Sequence, residues 1–166
     1  PIGIRAWQKI ESSYPNAHYL IMSPPPRLIA TVESEAIPRV HFLEPSASEI
    51  DVWSFHGAID AMAHFRRDGE TSGVAIAESL VVGNPIITHR SHIWNAHLEY
   101  LDHSCALIAA PDDVLEYSIH MRTFIELHKE GPKKWSEMRE SAKRIGMGKF
   151  SPVVYSDNIR NIVANI

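Results

Sequence analysis

Cysteine is almost absent: the 166 residues hold one, Cys105. A lone thiol makes no internal disulfide, which points to a reducing, cytoplasmic compartment. Cys105 sits in the apolar run "HSCALIAA", where a small side chain packs rather than reacts. No apolar run approaches the roughly 20 residues that span a bilayer, and no signal peptide is visible. Basic residues are scattered: 16 Lys and Arg face 20 Asp and Glu, a net charge of −4. Without a basic stripe there is no footprint for nucleic acid. The densest grouping, "KKWSEMRESAKR", reads as a solvated helix face. The chain opens at Pro1 without a Met, so it is expected to be a piece of something longer.

What remains is globular. A hydrophobic share of 45 % over 166 residues suits one domain with a sizeable core. Ile2, Ile4, Trp7 and Ile10 recur at helical spacing. "NAHYLIMS" reads as a strand that "PPPR" stops, and "RVHFLEP" as a second strand. Ser46 to Glu49 has the spacing of a capping box, so a helix is expected from about Ser48 to Ala58. "IDAMAHF" is a third strand, and a helix follows from Gly73 to Val82, ended by Gly83. "NPIITH" and "CALIAA" are the fourth and fifth strands, with a helical stretch over 94–101 between them. Asp112 or Asp113 starts a helix that runs to about His128. "GPKK" breaks it, and "WSEMRESAKRI" and "YSDNIRNIVANI" form two more. Apolar strands alternating with helices define an α/β class, a Rossmann-like, doubly wound parallel sheet. Ligands of such sheets bind beyond the carboxyl ends of the strands, at helix N-termini.

"RRDGETSGVAIAESLVVGNPIITHR" lies at such a place. A helix opening near Gly73 presents free backbone N–H groups and a positive dipole end, an anion site suited to phosphate. Gly73 admits close approach of a ligand to the backbone, and Thr71 and Ser72 add hydroxyls. Glu78, about one and a half turns along, suits the paired hydroxyls of a ribose, while Glu70 in the loop faces whatever the phosphate carries. The competing reading makes Thr71 or Ser72 an ordinary cap, with two solvated glutamates.

The stretch "GETSGVAIAESLVVGNPIIT" resembles the signature of the retaining GT-B glycosyltransferases of group 1, "E-x-F-G-x-x-x-x-E-A-x-x-x-G-x-P-V-I". Glu70, Gly73, Glu78, Gly83, Pro85 and Ile86 fall in the matching places. "YPNAHYLIMSP", "VHFLEP", "SEIDVWSFHGAIDAMAHF" and "CALIAAPDDVLEYSI" follow the family's order, so the likeness covers nearly the whole chain as one half of a GT-B fold. The resemblance implies a donor-binding domain for a nucleoside-diphosphate sugar. It implies Glu78 on the ribose, the backbone of Thr71, Ser72, Gly73 and Val74 on the diphosphate, and Glu70 beside the reacting carbon. Glu44 and Pro45 would border the base. Partners would be a nucleotide-sugar donor, a glycan, lipid or small-molecule acceptor, and an N-terminal domain of the same protein. Any membrane association would reside in that other part.

The sequence departs from the family in several places. Ser72 stands where the family has Phe, "SPPP" replaces a glycine-rich turn, and "HRSHIWNAHLEYL" replaces a Gly-Gly. Arg5 and Lys9 lie within the first helix, so the family's first strand with its Arg/Lys pair is absent and the piece alone should not turn over. A non-catalytic module that kept the fold, and a nucleotide-sugar epimerase or phosphorylase, are the alternatives.

Other residues are weighed beside these. His89, His92 and His97, with His103 nearby, raise a metal site, but no carboxylate or cysteine completes a ligand set. No metal and no cofactor are expected, and the absence of Asp-x-Asp agrees with a metal-independent GT-B type. Arg90, His92, Trp94 and Asn95 follow the fourth strand at the donor sugar pocket, with core packing the competing role for Trp94. Arg66 and Arg67 read as a solvated pair near the phosphate.

Overall fold

Every strand pairs in parallel. The computed structural model describes residues 2–151 with 153, 154, 156 and 160, so nearly all of the helix expected over 155–166 lies outside the described residues. β1 (Tyr19–Met22) pairs with β2 (Val40–Leu43), Tyr19 opposite Val40. β3 (Met62–Ala63), β5 (Ile86–His89) and β7 (Ala106–Ala109) form a second ladder with β5 in the middle. β4 (Gly69–Glu70) and β6 (Trp94–Asn95) make a small third. Parallel neighbours need crossovers, and helices supply them. α2 (Pro26–Ser34) joins β1 to β2, α3 (Glu49–Ala58) joins β2 to β3, and α4 (Val74–Val81) joins β4 to β5. α1 (Ile2–Ile10) precedes β1, while α5 (Val114–Glu130) and α6 (Pro132–Phe150) follow β7. This is the Rossmann-like doubly wound α/β arrangement expected from the sequence.

Two apolar clusters hold it. In one, Ile4 and Trp7 of α1, Leu28 and Val32 of α2, and Tyr117 and Phe124 of α5 pack together. In the other, Ile76 and Leu80 of α4 meet Ile86 of β5, Ala106 of β7 and Ala142 of α6. Cys105 belongs to the second cluster, completely buried, with burial pushing its thiol pKa up.

Four local expectations need correction. α2 is unforeseen: Pro26 occupies its first turn, where a missing N–H costs nothing, and Leu28 and Val32 bury one face. The stretch 94–101 is not one helix. Trp94 and Asn95 pair with Gly69 and Glu70 as strand, and only Ala96–Glu99 makes a 3-10 turn. The capping box at Ser46 is not made. α3 starts at Glu49, but the Ser46 hydroxyl donates to Asp51 (2.6 Å) and accepts from the Ser48 N–H (3.1 Å). α6 begins at Pro132, so the break expected through "GPKK" is confined to Gly131.

The sheet is also split. Between β1 and β3 lies a groove of about 1780 Å³, walled by Trp7, Tyr19, Ile21, Ala61, Ala63 and Phe124. The amides of Tyr19 and Ser23 donate to β2 and its flank, so those of Leu20 and Met22 turn toward the groove. On the far wall Met62 and His64 donate toward β5, so Ala61 and Ala63 face the groove.

Candidate functional site

The site assembles around the start of α4. Gly73 is the N-cap, at φ 73°, and no side chain caps the helix. Thr71 and Ser72 are exposed and do not take that role. The first intrahelical bond runs from the Ala77 N–H to Gly73 O (2.9 Å), which leaves the amides of Val74, Ala75 and Ile76 without a helical acceptor. Val74 itself is 63 % exposed. The loop is pinned from behind by Tyr100, whose hydroxyl donates to the carbonyls of Ser72 (3.1 Å) and Gly73 (3.3 Å). Burial, and then the nearby Glu70 charge, raise the Tyr100 pKa, so this donor keeps its proton. A side chain at Gly73 would collide with that hydroxyl.

Glu70 is fixed by the β4–β6 ladder. Gly69, at φ 77°, lies so close to Trp94 O that no Cβ fits. The Ser91 hydroxyl caps the turn that carries β6, accepting from the amides of Ile93 and Trp94 (3.0 Å each). Asn95 closes the same turn onto Ser91. The Glu70 side chain is 15 % exposed, and its Oε1 lies 2.9 Å from His64 Nε2 and 3.9 Å from Arg66 Nη1. His64 Nδ1 lies 3.3 Å from the Thr88 hydroxyl. Burial lowers the His64 pKa, with Glu70 acting the other way.

Glu78, on the second turn of α4, is 31 % exposed and lies 3.3 Å from His56 Nε2 at the end of α3. His56 is buried, burial lowers its pKa, and its Nδ1 has no partner among the described residues. Asn84 ties this corner together, donating to His56 O (2.6 Å). Each of the two glutamates therefore faces a histidine from earlier in the chain, His56 buried and His64 nearly so. Sequence reading missed His56, His64 and Tyr100. The available signal was a histidine inside the apolar strand "AMAHF", six residues before Glu70.

The other candidates are dispersed. Glu44 and Pro45 follow β2 and are exposed, with no hydrogen bond or ion pair to Glu70 or Glu78. Arg90 is exposed after β5, its amide donating to Ala109 O (2.9 Å). Trp94 is exposed and so is not a core residue. Arg66 pairs with Asp68 (3.0 Å). The histidines do not converge. His89 is buried between two backbone carbonyls, His97 is buried beside His89 O, and His92 is exposed near Asp112 (3.5 Å). No group of three potential metal ligands gathers among the described residues. The groove touches Arg66, Arg67 and Ala75 at its upper end, but Glu70 and Glu78 do not line it.

This fold belongs to a recurrent architecture, the Rossmann-like α/β half of a GT-B arrangement. Among solved structures, Anabaena HepE in complex with UDP and glucose matches 99 % of the chain at TM-score 0.74 and 19 % identity. HepE with UDP-glucose matches at 0.71 and 16 %, and a GtfA/B complex matches 97 % of the chain at 0.72 and 12 %. The chain covers 44 % and 55 % of the two HepE chains and 33 % of the GtfA/B chain, so it spans about half or less of these structures. At these identities the likeness is one of fold. No protein-family model matches the sequence, and no curated protein matches it significantly. No helix among the described residues is long and apolar enough to cross a membrane.

Proposed function

We propose that the chain is the donor-binding half of a retaining GT-B glycosyltransferase, which moves a sugar from a nucleoside diphosphate to an acceptor hydroxyl. The observation that carries this reading is the uncapped start of α4, with its free amides at Val74–Ile76, set between Glu70 and Glu78. An anion placed there meets three unpaired N–H groups and the positive end of the helix dipole. Glu78 then accepts from the two ribose hydroxyls, and Glu70 faces the sugar at its reacting carbon. The nucleotide departs as an anion, so holding its diphosphate lowers the barrier directly. Glu44 and Pro45 border the base, and Arg90 borders the sugar. No metal or cofactor takes part.

That HepE, which shares the fold, has been solved with UDP and with UDP-glucose supports a nucleotide-sugar ligand. The acceptor, whether glycan, lipid or small molecule, is bound by an N-terminal domain of the same protein, in the cytoplasm. The same reading puts a strand ahead of α1, seated in the groove between β1 and β3. The test is a transfer assay on the longer protein with a panel of nucleotide sugars. Glu70→Ala should lower turnover at least about 100-fold while nucleotide affinity stays within a few-fold. The product should keep the donor's anomeric configuration by NMR. An inverted product, or full turnover in Glu70→Ala, would overturn the proposal.

A further inference from the structure

We propose that His64 is a positioning residue for Glu70: its neutral, Nε2-protonated ring, braced by Thr88, holds Glu70 Oε1 and leaves Oε2 to face the donor sugar. The inference rests on the donor-site reading above and adds the device that orients its key carboxylate.

The geometry fixes the tautomer. The Thr88 hydroxyl is fully buried, and His64 Nδ1 is its side-chain neighbour at 3.3 Å. With the hydroxyl donating to Nδ1, the ring proton sits on Nε2, which donates to Glu70 Oε1 at 2.9 Å. Both His64 and Arg66 approach Oε1. Among the described residues no donor reaches Oε2, so that oxygen carries the unshared charge.

The groups that face the ring come from every side. Glu70 is on β4, Arg66 precedes β4, and Thr88 and His89 are on β5. His97 follows β6 with its ring centroid 6.0 Å away, and Tyr117 of α5 donates to the His64 carbonyl (3.0 Å). Glu70 alone favours a charged ring, while burial, His97 and His89 oppose it. The ring is therefore neutral at pH 7. Protonation would turn this contact into an imidazolium–carboxylate ion pair and remove Nδ1 as the acceptor for the Thr88 hydroxyl.

Two measurements test this. The first needs no variant and no ligand: nitrogen NMR of the histidine rings in the wild-type chain. The expected signature for His64 is a protonated Nε2 and a bare Nδ1 at pH 7. The opposite tautomer, or a charged ring, would overturn the proposal. The second compares affinities for UDP and UDP-glucose at pH 7.5 by calorimetry. A hydrogen-bonded carboxylate contact is worth roughly tenfold, so the wild type should prefer UDP-glucose by about that factor. His64→Leu should lose the preference while keeping UDP affinity. His64→Gln keeps an N–H near the Nε2 position and should retain the preference. If UDP binds normally but His64→Leu leaves the preference intact, His64 is structural only and the donor reading survives. If the wild type binds neither of these ligands, nor GDP or ADP, the donor reading falls and this inference falls with it.

Discussion

A single methyl group separates the site from a damaged one. Gly73 combines φ 73° with close contact to the Tyr100 hydroxyl. Gly73→Ala adds a left-handed backbone cost of about 1–2 kcal/mol and displaces the hydroxyl that pins Ser72 and Gly73. The expected outcome is a chain destabilised by at least about 1 kcal/mol in urea unfolding, with nucleotide affinity reduced further than stability alone explains. Tyr100→Phe is the milder probe. It removes two hydrogen bonds to the loop carbonyls and should cost about 1 kcal/mol with the fold unchanged by circular dichroism. At this scale Glu70, Gly73 and Glu78 were legible because their residue types and spacing carry meaning. His56, at the end of a helix, and His64, after an apolar strand, were not, because each acquires its role only from a carboxylate delivered by another element.

At the scale of elements, α4 and α6 pack backbone against backbone at Gly146. A Cβ there would stand 2.5 Å from the backbone of Leu80 and Val81. Backbone cannot yield as a side chain can, so Gly146→Ala should cost about 2–3 kcal/mol and lower the melting temperature by several degrees. Gly148, two residues on and on the opposite side of the helix, meets nothing within 4 Å, and Gly148→Ala should stabilise slightly through helix propensity. The order of strands and helices was legible because parallel strands run apolar on both faces. α2 was hidden because "PRLIATVES" mixes β-branched residues behind three prolines, and only the need for a crossover between parallel β1 and β2 demands a helix there. β4 and β6 were hidden for another reason. Two-residue strands carry no period, and their pairing is set by the Ser91 turn rather than by hydrophobicity. The split between β1 and β3 makes its own prediction. The amides of Leu20, Met22, Ala61 and Ala63 should exchange with solvent faster than those of Tyr19 and His64. In the longer protein a strand in the groove should protect all four, and unchanged exchange there would reject that placement.

For the molecule as a whole, three buried or nearly buried histidines couple folding to pH. Burial lowers the pKa of His56, His64 and His97 below the ordinary value near 6.5. The unfolded chain therefore takes up protons first as pH falls. Stability should be full above about pH 7 and decline through 6.5 toward 5. Glu35, held down to about 2 first by its hydrogen bond from Arg5, acts in the more acid range below its ordinary value of 4.5. Urea midpoints at pH 7.5 and 5.5 thus isolate the histidines, and equal midpoints would contradict their burial as neutral rings. Stability and the proposed donor site meet at this corner, since His56 and His64 contact both the packed interior and the two glutamates. The most direct measurement is calorimetric titration of the chain with UDP, GDP and ADP, beside Glu78→Ala. One nucleotide should bind, with a dissociation constant on the order of 0.1–1 mM, and Glu78→Ala should abolish it. Binding that is indifferent to Glu78, or no binding by this chain and by the longer protein alike, would contradict a nucleotide site at the start of α4.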